Sequence, residues 1–149
     1  MNPFSTLGIR HDIVNAITEL GFENPTPIQE QSIPVLLSGS NDFVGLAQTG
    51  TGKTAAFGLP LLELLDFEEN YPQALILCPT RELCLQITSD IKNYAKNMKT
   101  YKSLLFMAVL TFQISYAKSS VVYRLLWPLQ AVCLTLLTGK QLISVKFNL

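Results

Sequence analysis

Acidic residues are missing from the last third of the chain. The last acidic residue of the 149 is Asp90, whereas five of the eleven basic residues lie in 101–149. Six basic and eleven acidic residues give 1–100 a net charge of −5, and 101–149 carries +5, so the overall charge of zero is a cancellation. Glycine and proline are also scarce there, since only Gly139 and Pro128 follow residue 100. The composition therefore divides the chain into two unlike parts.

Cysteine is rare, and its spacing argues against a zinc site. Cys78, Cys84 and Cys133 form no Cys-x-x-Cys pair, so we expect reduced, buried thiols. The first residues lack the basic and apolar segments of a secretory signal, which predicts a cytoplasmic protein. A hydrophobic content of 48% with only 15% charged residues excludes a disordered chain, and the length suits one domain.

One segment, with the sequence AQTGTGKT, has the pattern of a phosphate-binding loop. Gly50 and Gly52 lack a Cβ, which allows the backbone N–H groups to turn towards a phosphate. Lys53 is placed to neutralise the β- and γ-phosphates, and the Thr54 hydroxyl is placed to bind Mg²⁺. We therefore predict that this segment binds a nucleoside triphosphate together with Mg²⁺. The loop consists of Ala47, Gln48, Thr49, Gly50, Thr51, Gly52, Lys53 and Thr54.

The residues around this loop favour a binding site over the alternative, a glycine-rich turn that happens to precede Lys-Thr. An apolar run at 43–47 is suited to a buried strand, and a helical pattern opens at Thr54. Strand, loop and helix is the order that such a site requires. Gly58 and Pro60 weaken the helix after its first turn, so a kink or an early end is expected there.

Apolar spacing elsewhere predicts alternating helices and strands. One helix is expected to end at Gly21, and a second to begin with Pro27 at its first position. A continuous apolar run at 74–78 is typical of a strand covered on both faces, and a helix is expected over about 81–96. The alternation predicts an α/β fold with a parallel sheet and flanking helices.

Three motifs in this order resemble the DEAD-box ATP-dependent RNA helicases. The sequence GFENPTPIQ at 21–29 is similar to their Q motif, within a Q-motif region at 2–30, and Phe4 matches an upstream aromatic. The loop at 47–54 resembles motif I, where that family has alanine in place of the first glycine, and PTREL at 79–83 resembles motif Ia. The resemblance covers residues 1–104 and implies an incomplete RecA-like P-loop domain.

The resemblance implies roles for residues outside the loop. Gln29 is expected to hydrogen-bond the adenine edge, with one amide donor and one acceptor, and Phe4 is expected to pack on the adenine ring. Two alternatives remain open: Gln29 and Thr26 form a capping box, which is compatible with adenine recognition, or Phe4 is only a packing residue. Thr80 and Arg81 resemble residues that hold the RNA backbone, although Thr80 is equally suited to cap a helix.

By family, the chain is then expected to be an enzyme, an ATP-hydrolysing RNA helicase with ATP and Mg²⁺ as cofactors and RNA as its partner. Lys53 and Thr54 are the predicted catalytic residues, and Thr54 is the predicted metal ligand. The RNA contacts would be sequence-independent, and nothing indicates a membrane partner or an oligomeric state. The chain as written lacks the Asp-Glu-Ala-Asp box and a second domain, so we predict that it is inactive. The alternative function is a non-catalytic, ATP-binding remnant.

The resemblance ends at residue 104, and a change of reading frame explains the rest. Read one frame over, the codons of Met107 and Ala108 give glycine, and those of Trp127 and Pro128 give alanine, where the family has a Gly-Gly turn and an Ala-Thr-Pro-Gly-Arg motif. We therefore interpret 105–149 as an out-of-frame tail of uncertain structure and no assigned domain. A membrane span is the alternative, but the apolar run at 125–137 is shorter than the roughly 20 residues that a span needs.

Overall fold

The computed structural model describes residues 2–39, 42–67, 73–78, 80–98, 108–111, 131–138 and 141–148. The helices are α1 (Pro3–Thr6), α2 (His11–Glu19), α3 (Pro27–Ser38), α4 (Lys53–Leu64) and α5 (Arg81–Tyr94). The strands are β1 (Phe43–Leu46), β2 (Ala74–Cys78), β3 (Ala108–Thr111), β4 (Ala131–Thr138) and β5 (Gln141–Asn148). This is the α/β alternation that the sequence predicts for its first hundred residues.

The strands form one mixed sheet in the order β1-β5-β4-β2-β3. The pairs β1–β5 and β2–β3 are parallel, whereas β2–β4 and β4–β5 are antiparallel. Four strands therefore run in one direction and β4 runs against them. The wholly parallel sheet that the sequence predicts is not confirmed by these pairings. Because β1 and β2 point the same way, the segments that follow them begin at the same edge of the sheet.

Helix ends follow the local sequence signals. α2 is followed by Gly21 in a left-handed conformation, with φ of 88°, where the sequence predicts the stop. Thr26 is the N-cap of α3, and Pro27 takes the first helical position, which needs no N–H donor. Both boundaries confirm the sequence predictions, and they fix the orientation of the helix that carries Gln29.

The sequence predicts a kink or an early end of the helix after the glycine-rich loop, and the early end is wrong. α4 continues through Gly58 and Pro60 to Leu64. Proline removes the N–H that would bond the carbonyl of Ala56, four residues earlier. The Ser32 hydroxyl donates a hydrogen bond to that carbonyl at 3.2 Å, so the carbonyl keeps a partner. At Gly58, an added Cβ would lie 3.5 Å from Ile91 and Tyr94, because α4 and α5 pack closely there.

The hydrophobic core lies among the helices and β2. Its fully buried side chains include Phe4, Ile13, Ile17, Ile33, Phe57, Leu59, Leu61, Leu62, Ile76 and Ile87. In the described part of β2, Ala74, Ile76 and Cys78 are buried. β1 differs from the buried strand that the sequence predicts, since Val44 is 65% and Leu46 is 70% exposed. Alternate strand residues face opposite sides of a sheet, and only the side of Phe43 packs against the core.

A half-buried ion pair between Arg10 and Glu63 joins the start of α2 to α4. The Arg10 backbone N–H and side-chain Nε donate to one Glu63 carboxylate oxygen at 2.8 and 3.1 Å, and an Arg10 guanidinium N–H donates to the Glu63 carbonyl at 2.8 Å. Glu63 therefore supplies an acceptor at the start of α2, where Arg10 is the N-cap residue.

Within the part of the chain described above, no helix is long and apolar enough to cross a membrane.

Candidate functional site: a nucleotide-binding loop

The loop at 47–52 connects β1 directly to α4, which confirms the predicted order of strand, loop and helix. Gly50 and Gly52 have φ of 78° and 82°, a region that residues with a Cβ rarely adopt. Gly52 is the N-cap of α4, so the N–H groups at the start of the helix and the positive end of the helix dipole lie where the loop ends. This backbone suits an anion.

Lys53 folds back over the loop. Lys53 is the first residue of α4 and is only 7% exposed. Its Nζ donates a hydrogen bond to the Ala47 carbonyl at 2.7 Å. A second hydrogen bond lies within the loop, where the Thr51 hydroxyl donates to the Gln48 carbonyl at 2.7 Å. The ammonium is thus held next to the loop backbone, within reach of an anion that the loop would bind.

The remaining loop residues differ in their exposure. Gln48, Thr49 and Gly50 are exposed, whereas Ala47 and Thr54 are half-buried. Thr54 lies in the first turn of α4, next to Lys53. The structure therefore places six of the eight predicted residues between β1 and α4 and the other two, Lys53 and Thr54, at the start of α4. Their contacts with nucleotide and Mg²⁺ stay predictions.

Gln29 is buried, at 1% exposure, and both ends of its amide make hydrogen bonds. Its Oε1 accepts from the Thr26 backbone N–H at 2.9 Å, which forms the capping box with Thr26. Its Nε2 donates to the Gly52 carbonyl at 3.0 Å. The capping-box interpretation is thus confirmed. Adenine recognition stays a prediction, and it would use the second N–H and the second lone pair of the amide.

Close packing explains why position 52 is a glycine. An added Cβ would lie 2.3 Å from Nε2 of Gln29, which is closer than real Cβ contacts. The neighbouring Thr26 hydroxyl donates to the Thr51 carbonyl at 2.9 Å. The Q-motif residues therefore contact the predicted phosphate-binding loop directly, which the sequence did not reveal. The spacing of Thr26 and Gln29 was the available signal, because residues three apart share one helix face.

The structure places Phe4 differently from the predicted adenine contact. Its side chain is 0% exposed and meets Phe22 edge to face, with ring centroids 6.3 Å apart. Phe22 in turn packs on Tyr94 at 6.0 Å. A stacking platform needs an accessible ring face, and the Phe4 ring has none in this arrangement. The structure therefore supports the packing alternative for Phe4, and its contact with adenine stays a prediction.

Thr80 caps α5 at the same edge of the sheet as the loop. Its hydroxyl oxygen accepts a hydrogen bond from the Leu83 backbone N–H at 3.2 Å. Thr80 and Arg81 are both exposed, and they follow β2 as the nucleotide loop follows β1. The cap interpretation is confirmed, while the RNA contact stays a prediction. Pro79 lies outside the described residues.

The cysteines next to this segment are buried and reduced. Cys78 ends β2 and Cys84 lies on α5, and neither forms a disulfide. Burial raises the pKa of the Cys78 thiol to about 12, and the neighbouring Cys84 adds to the shift. Cys78 is therefore a protonated, unreactive thiol at neutral pH. The side chain of Cys133 lies outside what the structure describes.

Comparison with known proteins agrees with this geometry. The sequence model of the DEAD/DEAH box helicase family matches residues 26–123, and so reaches past residue 104. The ATP-dependent RNA helicase DeaD of Escherichia coli K12 is 50% identical over 96 residues, which are 64% of this chain and 15% of that protein. The chain thus spans about a seventh of the curated relatives it matches.

Two solved structures give the same result at the level of the fold. The RNA helicase Prp28 of Chaetomium thermophilum, bound to ADP, is 41% identical with a TM-score of 0.60, and the match covers 66% of this chain and 25% of that one. Dbp5 of S. cerevisiae, bound to RNA and ADP BeF3, is 35% identical with a TM-score of 0.61, covering 66% and 26%. The chain belongs to the DEAD/DEAH box helicase family, whose members are ATP-dependent RNA helicases.

Proposed function

We propose that this chain binds ATP with Mg²⁺ through residues 47–54 and contains the first part of an ATP-dependent RNA helicase. The observation that carries the proposal is the contact between Gln29 and Gly52, which joins the predicted base-binding residue to the phosphate-binding loop. Lys53 and the first turn of α4 would hold the phosphates, and the Thr54 hydroxyl would be a ligand of Mg²⁺. The metal would neutralise phosphate charge when bound.

We further propose that the chain has no helicase activity and no appreciable ATP turnover. Phosphoryl transfer needs groups that position the attacking water and stabilise charge, and an arginine finger alone contributes about 10³ to 10⁵ in rate. The Asp-Glu-Ala-Asp sequence is not present among the 149 residues. We also propose that residues 1–104 belong to an incomplete RecA-like P-loop domain with a parallel sheet.

Two measurements on the purified chain test these proposals. We expect saturable binding of a fluorescent ATP analogue in the presence of Mg²⁺, and phosphate release no faster than in a buffer blank, with or without RNA. Absence of binding by a folded chain would contradict the ATP site. RNA-stimulated turnover would contradict the proposed inactivity and would favour the enzyme over the non-catalytic remnant.

The out-of-frame origin of 105–149 remains our proposal for the tail. It is supported by the loss of acidic residues, glycine and proline after residue 100. Sequencing the DNA around the codons of Leu104 and Leu105 tests it, because an inserted or deleted base is required there. A reading frame that matches close relatives without such a change would exclude this origin.

RNA is the proposed partner of the exposed N-terminus of α5, by way of Thr80 and Arg81. We expect Arg81→Ala to weaken RNA binding about equally for all RNA sequences. The slope of log affinity against log salt concentration should fall in magnitude by about one, because a guanidinium bound to one phosphate releases one counterion. Lys92→Ala, which removes an exposed cation near the other end of the same helix, is the matched control. Equal RNA affinity of the two variants would contradict the role of Arg81.

A further inference from the structure

Ser32 is a fully buried polar side chain that the nucleotide site described above does not use. Its hydroxyl donates to the Ala56 carbonyl at 3.2 Å. That carbonyl needs an outside donor because Pro60, four residues later, has no N–H. A serine on one helix thus completes the hydrogen bonding of another helix, at the point where proline interrupts it.

This contact is the third in a row between α3 and the start of α4. Thr26, Gln29 and Ser32 are spaced three apart and lie on one side of the α3 segment. Their side chains donate to the carbonyls of Thr51, Gly52 and Ala56 at 2.9, 3.0 and 3.2 Å. The first two acceptors belong to the loop, whereas Ala56 is inside α4. Of these three hydrogen bonds, that of Ser32 alone reaches the body of α4.

We propose that Ser32 is a positioning residue for nucleotide binding, which sets the distance between Gln29 on α3 and Lys53 with Thr54 on α4. The proposal rests on the ATP site proposed above. A nucleotide that reaches both the amide of Gln29 and the ammonium of Lys53 requires the two helices in one fixed arrangement. A ligand that contacts only the phosphate end does not require it.

The two kinds of ligand give a direct test of positioning. We expect Ser32→Ala to weaken binding of fluorescent mant-ATP by roughly threefold to tenfold, the effect of one hydrogen bond, and to leave inorganic tripolyphosphate binding unchanged. Competition titrations under conditions in which the variant is folded give both affinities. Ser38→Ala is the control, because that exposed hydroxyl donates to a carbonyl of its own helix, at Val35, and should alter neither affinity.

Pro60→Ala separates positioning from stability. It restores the N–H that bonds the Ala56 carbonyl, so Ser32→Ala in this background should change the urea midpoint little. The bridge between the helices is still lost, so mant-ATP binding should weaken as it does in the natural background. This second pair of variants also provides the comparison if Ser32→Ala alone does not fold.

Each result has a defined meaning. Selective loss of mant-ATP affinity, with stability but not affinity restored by Pro60→Ala, supports the positioning role. Equal loss of mant-ATP and tripolyphosphate affinity, or no change in either, overturns it while the ATP site stands. If the folded natural chain binds neither ligand, the proposed ATP site fails and the role of Ser32 falls with it.

Discussion

Replacing Lys53 by alanine is expected to abolish measurable ATP binding while leaving the fold intact. The ammonium is the one cation that the described loop residues 47–54 contribute, and it would make charge-assisted hydrogen bonds to two phosphates. At about 1.5 to 3 kcal/mol each, two such bonds correspond to a loss of at least about a hundredfold in affinity. Fluorescence titration with mant-ATP measures this loss.

Stability should respond less to the same change. Lys53 donates a hydrogen bond to the Ala47 carbonyl, which is an uncharged acceptor. A hydrogen bond from a charged donor contributes about 1.5 to 3 kcal/mol, and part of this loss is offset because alanine is the better helix former at the start of α4. Urea unfolding should therefore shift by no more than about 3 kcal/mol. Lys92→Ala controls for the removal of a positive charge, and an undiminished ATP affinity of Lys53→Ala would exclude the loop as the phosphate site.

Local signals explain which parts of the fold the sequence could predict. Gly21 marks the end of α2 and Pro27 marks the start of α3, because their backbone preferences act at single positions. The loop at 47–52 was predictable for the same reason, since Gly50 and Gly52 both adopt positive φ. Wherever a residue's own conformational preference decides the structure, the sequence alone is sufficient.

The wrong or incomplete predictions depend on contacts between distant segments. Pro60 does not end α4, because Ser32 on another helix supplies the missing donor. Phe4 lies in the core because Phe22 and the surrounding helices cover it. Val44 in β1 is apolar yet exposed, because packing covers only the opposite side of the strand. Sequence spacing identifies the candidates for such contacts, but the tertiary fold decides which of them form.

The contact between the Q-motif helix and the loop makes Gly52 the most sensitive position of the site. We expect Gly52→Ala to destabilise the chain by about 2 to 4 kcal/mol: roughly 1 for an alanine at φ of 82° and the rest for the hydrogen bonds of Gln29 that the new methyl group displaces. The amide of Gln29 cannot simply rotate away, because its Oε1 is held by the Thr26 N–H. Urea unfolding measures this destabilisation, and mant-ATP titration measures the loss of ATP affinity that we expect with it.

Gly21→Ala is the matched control for backbone strain. Gly21 has a similar φ of 88°, but an added Cβ there meets nothing within 4 Å, so this variant should lose only the roughly 1 kcal/mol of conformational preference and keep its ATP affinity. The difference between the two variants isolates the clash with Gln29. In a Gln29→Ala background the clash is gone, and Gly52→Ala should then cost no more than Gly21→Ala. Equal destabilisation of the two glycine variants in the natural background would mean that Gln29 does not pack on the loop. The link between the proposed base-binding residue and the proposed phosphate-binding residues would then have to come from elsewhere in α3.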